Sequence, residues 1–405
     1  MAVTDTPIDP RTLSGPILKD APKASFFYRP EVRSAIYQTL LVAAIAYFFY
    51  SIISNTLENL RRQNIASGFG FWGRTAGFDI AESLIPYAAT STYGSAFWVG
   101  MLNTLSVSIL GIILATILGF VVGIGRMSSN WLVARLATVY VEVLRNMPLL
   151  LLLLFWYFAV LKALPQARDA MQLPGGTFFS NRGLNIPRPE YQPGLEYVGL
   201  AALIAIGVAI AVSKWSKRRQ LLTGQTFPAF WAGLGLIVGL PLLVAALLRF
   251  PMSFDMPVKG PFNFSGGMVL SPEFLALLLG LSVYTAAFIA EIVRAGVLAV
   301  SKGQKEAAAA IGLPPSKVLQ LVVIPQAMRI VIPPLTSNYL SLTKNSSLAL
   351  AIAYPDLVSV TGTMLNQTGQ AVEIILLIMG CYLTLSLLTS MFMNWFNARM
   401  ALVER

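Results

Sequence analysis

The sequence predicts an all-α polytopic membrane protein with about eight transmembrane helices, and three observations carry that prediction. Of its 405 residues, 56% are hydrophobic and only 12% are charged, against roughly a quarter charged in soluble domains. Eight stretches are long and apolar enough to cross a bilayer, which takes about 20 residues per helix because backbone groups cannot go unpaired in lipid. Between those stretches Lys and Arg collect in alternate segments, as they do where basic loops stay in the cytosol.

In chain order, residues 1–34 are polar and contain Pro, without an apolar core followed by a small-residue cleavage site. They read as a retained cytosolic N-terminal tail, not a signal peptide. Spans are expected at 35–54, 99–124, 136–162, 196–213, 229–249, 273–299, 330–353 and 372–396. With the tail inside, the inner segments hold Arg11, Lys19, Lys23, Arg29, Arg33, Arg126, Arg135, Lys214, Lys217, Arg218, Arg219, Lys302, Lys305, Lys317, Arg329, Arg399 and Arg405. The outer ones hold Arg61, Arg62, Arg74, Arg168, Arg182, Arg188 and Lys259. Both termini are therefore expected in the cytosol. The run KWSKRR, Lys214 to Arg219, reads as a positive-inside anchor. Outside lie segments 55–98, 163–195 and 250–272, long enough for some structure, on the membrane surface or as a docking face.

Composition also excludes chemistry. The chain has no histidine and a single cysteine, Cys381, so a disulfide framework, a zinc cluster and a Ser-His-Asp triad are all ruled out. The net charge of +11 is scattered between apolar runs without a basic stripe or aromatic interleaving, which argues against nucleic acid. No G-x-x-x-x-G-K-[ST] cradle for a nucleotide phosphate occurs. A membrane-embedded enzyme lacks a catalytic constellation here, and the internal repeats of many secondary transporters are missing.

One polar interruption stands out: GQKEAAAAIGLPP, Gly303 to Pro315. Ser301 is a good N-cap with Gln304 three residues on, and Glu306 lies in the first turns, where the helix dipole favours an anion. Ala307 to Ala310 give helix propensity without bulk; Gly312, Pro314 and Pro315 form a stop. Ser316 is expected to cap a second helix, SKVLQLVVIPQAMR, interrupted at Pro325. Two short helices joined by a sharp turn suit docking into another protein's groove, or lying on the membrane interface.

The pattern Glu306-Ala307-Ala308, Gly312 and Val322-Val323-Ile324-Pro325 resembles the EAA motif of the membrane subunits of ABC importers, with Val-x-Ile-Pro in place of the more usual Ile-x-Leu-Pro. SPEFLALLLGLSVYTAAFIAEIVRAGVLAVSKGQ before it, LTKNSSLALAI after it, and GMLNTLSVSILGIILATILGFVVGIGRMS and YVEVLRNMPLLLLLL upstream are similar to the polar amino acid branch of that family. The resemblance covers about 98–163 and 271–400. It implies a type I ABC importer-like five-helix core, split into 99–163 and 273–405 with a cytosolic EAA loop at 301–329. Added to it are an N-terminal span at 35–54, a periplasmic loop at 55–98 and an insertion at 164–272 with two spans and periplasmic loops. This enlarged layout resembles the larger permease of a general L-amino acid transport system.

The resemblance further implies a bacterial inner membrane location and a second permease subunit in a hetero-dimer. It also implies two ATPase subunits that carry ATP and magnesium, a periplasmic amino-acid-binding protein and L-amino acids as cargo, with no cofactor on this chain and no nucleic acid. Gly303, Glu306, Ala307, Ala308, Gly312 and Pro325 would couple to the ATPase.

Charged groups inside spans are functional candidates because lipid makes them costly. Glu291 and Arg294 share one helix face, and Glu142 and Arg145 repeat the spacing. Each pair could meet the ammonium and carboxylate of an amino acid, or be a local ion pair that carries its charges in lipid. Lys344, Asn345 and Ser346, with Ser347, are candidates to line a path or to hydrogen-bond between helices, and Asn103, Thr104 and Ser108 invite the second reading more strongly. Pro148 and Pro325 are expected to kink or end helices.

Overall fold

A computed structural model describes residues 30–63, 67–260 and 263–400; the expectations for residues 1–29 and 401–405 lie outside the described residues. The chain divides into two units at Phe69 and Gly70. The first contains helix α1 (Pro30–Arg62), which is longer than its expected span and apolar through its centre. Tyr47, Phe48 and Tyr50 are exposed along it, and Arg62 pairs with Glu58 at 2.6 Å in its last turn.

The second unit contains α2 (Tyr93–Gly125), α3 (Trp131–Arg145) and α4 (Leu149–Leu154), which continues as a π-helix, Phe155–Leu161. Strands β1 (Met171–Leu173), β2 (Thr177–Ser180), β3 (Gly183–Ile186) and β4 (Arg188–Tyr191) precede the helical hairpin α5 (Leu195–Thr223) and α6 (Ala229–Leu247). After β5 (Met252–Asp255), β6 (Val258–Lys259), β7 (Phe264–Ser265) and β8 (Met268–Leu270) come α7 (Pro272–Leu298), α8 (Lys302–Ala310) and α9 (Pro315–Val318). A second π-helix, Leu319–Val323, leads into α10 (Ile324–Asn345), then the 3-10 turn Ser346–Ile352, α11 (Leu357–Thr368) and α12 (Ala371–Met400). Among the described residues, seven helices are long and apolar enough to cross a membrane, eight if the bent α3–α4 pair counts as one span.

Helix α7 is the centre of the packing. Gly111, Ala115, Gly119 and Gly123 recur every four residues on one buried face of α2, and that face lies along α7. A Cβ on Gly119 would fall 2.6 Å from the Ile289 Cβ, and one on Gly123 would fall 2.8 Å from the Ala290 carbonyl oxygen. Residue numbers rise together along the contact, so the two helices run parallel. Small residues let backbones approach where lipid supplies no hydrophobic drive between helices. Gly280 of α7 receives Leu153 of α4, and Gly296 receives Val331 of α10.

Four expectations are corrected. The stretch 136–162 is not one helix: α3 and α4 meet at a 110° bend. Pro148 stands at that elbow with extended backbone, and a proline disfavours helical conformation in the residue before it. Helix α5 does not stop at residue 213 but continues to Thr223. Pro325 does not interrupt its helix, because the wider π-turn Leu319–Val323 directly before α10 makes room for the ring, and the apolar helix runs from Pro315 to Ile352. Finally, Ser316 caps nothing; Pro315 takes the first helical position of α9 after Pro314, where its missing N–H costs no bond.

Outside the helices, β1, β2, β3 and β8 form one antiparallel sheet, while β4–β5 and β6–β7 pair separately. The β3–β8 and β4–β5 pairings knit segments 163–195 and 250–272 together. At the same end a polar seam ties α2 to α11. The Asn103 side-chain amide donates to the carbonyls of Glu82 and Pro355, at 2.8 and 2.9 Å, and Leu357 N–H donates to the Thr104 hydroxyl at 2.9 Å. These bonds match the helix-joining reading of Asn103 and Thr104. Asp356 caps α11 by accepting from Ser359 N–H at 2.8 Å and is fully buried.

Burial pushes the Asp356 carboxyl up to about 7. The folded state therefore holds this proton more tightly than the unfolded chain, where an aspartate titrates near roughly 4. The resulting stability is complete below about pH 4 and is lost as pH rises to about 7, with a slope of order 1 kcal/mol per pH unit. Thermal denaturation at several pH values is expected to show this decline, and Asp356→Asn, which cannot ionise, is expected to flatten it.

Candidate functional site

The segment Gly303–Pro315 forms a closed helical hairpin. The Ser301 hydroxyl accepts from Gln304 N–H at 3.4 Å, and α8 ends on Gly312 at φ +80. There Gly312 N–H donates to Ala309 and Leu313 N–H to Ala308, at 2.9 and 3.3 Å. This crossed pair satisfies the last carbonyls and needs a residue at ease in the left-handed region. The inner side of the hairpin is anchored: Ala308 is buried, and Val297 and Val300 at the end of α7 pack with Val318, Val323 and Ala327. Its outer side is bare. Gly303, Glu306, Ala307 and Gly312 are exposed, and Ile311 keeps 77% of its surface open. Ala308 thus faces inward while its neighbours in the motif face out; Pro325 is half-buried in the first turn of α10.

A second cluster sits at the loop end of α2 and α7. Glu291 accepts from Arg294 Nη2 at 2.6 Å and from Arg126 Nη1. Arg145 Nη1 stands 3.9 Å from the same carboxylate, and its guanidinium lies over the Phe288 ring, 5.5 Å from the centroid. Three guanidinium groups around one carboxylate leave an excess of two positive charges in a partly buried site. Such a site prefers a further anion, and Arg offers the planar fork that fits a carboxylate. The local pair expected between Glu142 and Arg145 does not form among the described residues: Glu142 is exposed, and Arg145 turns across to α7. Arg126 was expected only as an inner-loop cation. The signal was present, because it follows Gly123 by three residues and so continues the helix face that meets α7.

Lys344, Asn345 and Ser346 are not brought to this cluster. Gly111 meets Leu342, which places Lys344 several turns from the level of Glu291, roughly 15 Å by helix rise. Lys344 is exposed and Asn345 half-buried, while Ser346 is fully buried and donates to the Thr343 carbonyl at 2.7 Å. Tyr339 on the same helix bridges to Thr116 of α2 at 2.8 Å. Two apolar hollows flank the charges. One of about 610 Å³ fills the α3–α4 elbow beside Tyr140, Met147 and Trp156. The other, about 670 Å³, lies between Phe120, Ile124 and Val293 on one side and Leu319 and Met328 on the other.

Residues 203–402 match the family described as binding-protein-dependent transport system inner membrane component. Over 94% of its length, and 95% of the relative's, the chain is 56% identical to the general L-amino acid transport system permease protein AapQ of Rhizobium johnstonii. It is 50% identical to the putative amino-acid ABC transporter permease protein YhdX of Escherichia coli, over 94% of this chain and 97% of that one. With the glutamate/glutamine/aspartate/asparagine transport system permease protein BztB of Rhodobacter capsulatus the identity is 41%, over 96% of this chain and 100% of the relative.

Removing the Glu291 charge leaves three arginines repelling one another. Glu291→Gln is expected to destabilise the protein by about 1–3 kcal/mol in denaturant titration, the range for stranding charged partners. The exposed Glu142→Gln is expected to stay within about 0.5 kcal/mol.

Proposed function

The chain belongs to the binding-protein-dependent transport system inner membrane component family, the multi-pass permease subunits of ABC importers, and on that premise we propose that its cargo is L-amino acids. The names of its relatives and the excess positive charge beside Glu291 support this cargo. A carboxylate travelling through meets Arg294 and Arg145, with Arg126 holding Glu291 in place. Lys344 and Asn345 offer a second polar position higher on the path.

Power comes from partner subunits that bind ATP and magnesium. The observation that carries the coupling role is the two-sidedness of the Gly303–Pro315 hairpin: a bare outer surface of Gly303, Glu306, Ala307 and Ile311, and an inner surface seated on α7 and α10. A contact there can bias transport only if it differs between inward-open and outward-open states. Movement of the hairpin would pass into α7 and α10, since Val297 and Val300 at the end of α7 pack with Val318, Val323 and Ala327. The distribution of Lys and Arg supports cytosolic termini and a cytosolic hairpin. On this reading the sheets face the periplasm, where an amino-acid-binding protein docks, and the permease pairs with a second, different permease above two ATPase subunits.

Gly312 decides between coupling and passive packing. Gly312→Val, which resists the left-handed conformation, is expected to abolish amino acid uptake in cells while membrane levels of the protein stay normal. Gly312→Asn, which tolerates that conformation, is expected to retain uptake. Normal uptake by the valine variant would refute the coupling role.

A further inference from the structure

The α5–α6 hairpin carries a basic cluster that belongs to neither the Glu291 site nor the α8 hairpin. Helix α5 has 29 residues, a rise of about 43 Å, whereas the hydrocarbon core is about 30 Å thick. Its last turns therefore project beyond that core, and they carry Lys214, Lys217, Arg218 and Arg219. No acidic residue occurs between Glu196 and Asp255, so nothing on the hairpin neutralises them. Lys214, Lys217 and Arg218 fall at helical spacing on one side, are exposed, and make no ion pair among the described residues.

The turn that presents them is built, not loose. The Arg219 guanidinium lies over the Trp215 ring, 5.3 Å from its centroid, and donates to the Gln225 side-chain oxygen at 2.6 Å. Trp215 meets Phe227 edge-on at 5.4 Å. The buried Ser216 hydroxyl donates to the Phe227 carbonyl at 3.3 Å. Gly224 closes the helix in the left-handed conformation. Around the cations, Leu221, Leu222, Phe230 and Trp231 are 70% or more exposed. Aromatic rings beside basic side chains at the end of an apolar hairpin are the composition of a headgroup-level surface.

We propose that Lys214, Lys217 and Arg218 form a binding surface for the phosphate headgroups of anionic phospholipids, held in register by the Arg219–Trp215–Phe227 stack. The hairpin then serves as a lipid-anchored outrigger on the permease core: α5 and α6 pack on one another through Ala201, Ala205, Ala209 and Gly233, and their remaining faces are apolar. Lipid is the occupant favoured by this charge and this apolar collar together. The inference rests on the membrane reading of the chain and is independent of which substrate it carries.

The test uses the full-length permease in nanodiscs of mixed phosphatidylcholine and phosphatidylglycerol, with retained lipid measured by native mass spectrometry. Wild type is expected to enrich phosphatidylglycerol, and the enrichment is expected to weaken at high salt, where surface charges are screened. The variant K214Q/K217Q/R218Q is expected to lose it by roughly fivefold or more, with unchanged melting because all three side chains are exposed. K302Q/K305Q, elsewhere on the chain, is expected to keep it. Equal enrichment in wild type and K214Q/K217Q/R218Q would overturn the proposal. So would a K214Q/K217Q/R218Q variant that keeps its lipid but loses the ATPase subunits on purification, which would make the patch a protein contact.

Discussion

Close backbone approach around α7 is the constraint on which the rest of the structure depends. At Gly119 and Gly123 of α2, and at Gly280 and Gly296 of α7 itself, a side chain would collide with the neighbouring helix. In lipid the apolar surface of a helix gains little from leaving its solvent, so association falls to contact between closely fitted atoms and to shared hydrogen bonds. Glycine and alanine at every fourth position create that contact along most of α2. The same approach delivers Arg126 to Glu291, because the helix face that is small at Gly123 becomes charged three residues later.

That arrangement makes α7 a natural transmitter. Its loop end continues through Ser301 into the α8 hairpin, its lower turns hold the charge cluster, and its opposite end starts beside the strands, where Ser271 N–H donates to Glu82 at 3.0 Å. Between the hairpin and Glu291 lie the short link 299–301 and the last two turns of α7. The far end of α2 is tied through Asn103 and Thr104 to the start of α11, so the two ends of the bundle differ in kind: small apolar contacts and ions at one, a buried polar seam at the other. An importer that exposes its path to alternate sides needs such separable ends.

Much of this was legible in the sequence. Apolar runs located the spans, and the order Ser301, Glu306, Gly312, Pro314 specified a capped helix and a left-handed stop because each of those residues has few other uses. The misreadings share a cause, which is that hydropathy measures composition and not direction. It could not see the 110° bend at Pro148, because residues on both sides of the elbow are equally apolar. Nor could it see that a π-turn lets Pro325 pass, or that α5 stays helical after its residues turn basic. The strands were missed because each has two to four residues, and because β3–β8 and β4–β5 pair across the whole α5–α6 hairpin. Helix α11 was missed because it is short and carries Thr, Asn and Gln. Among the charges, spacing found Glu291 with Arg294 but assigned Arg145 to Glu142, since helix periodicity reports neighbours within a helix and not across helices.

If the α8 hairpin couples transport to ATP, its bare face meets the ATPase differently in the two nucleotide states. Cross-linking tests it most directly. With Cys381 replaced by Ser and Ile311→Cys introduced on the exposed face, the assembled transporter is treated with a short thiol-to-amine cross-linker, which can join that thiol to a lysine of the ATPase subunit, both nucleotide-free and with ATP trapped. A bond to the ATPase subunit is expected, with a yield that changes clearly between the two states. A yield that is the same in both, or no bond in either, would contradict it.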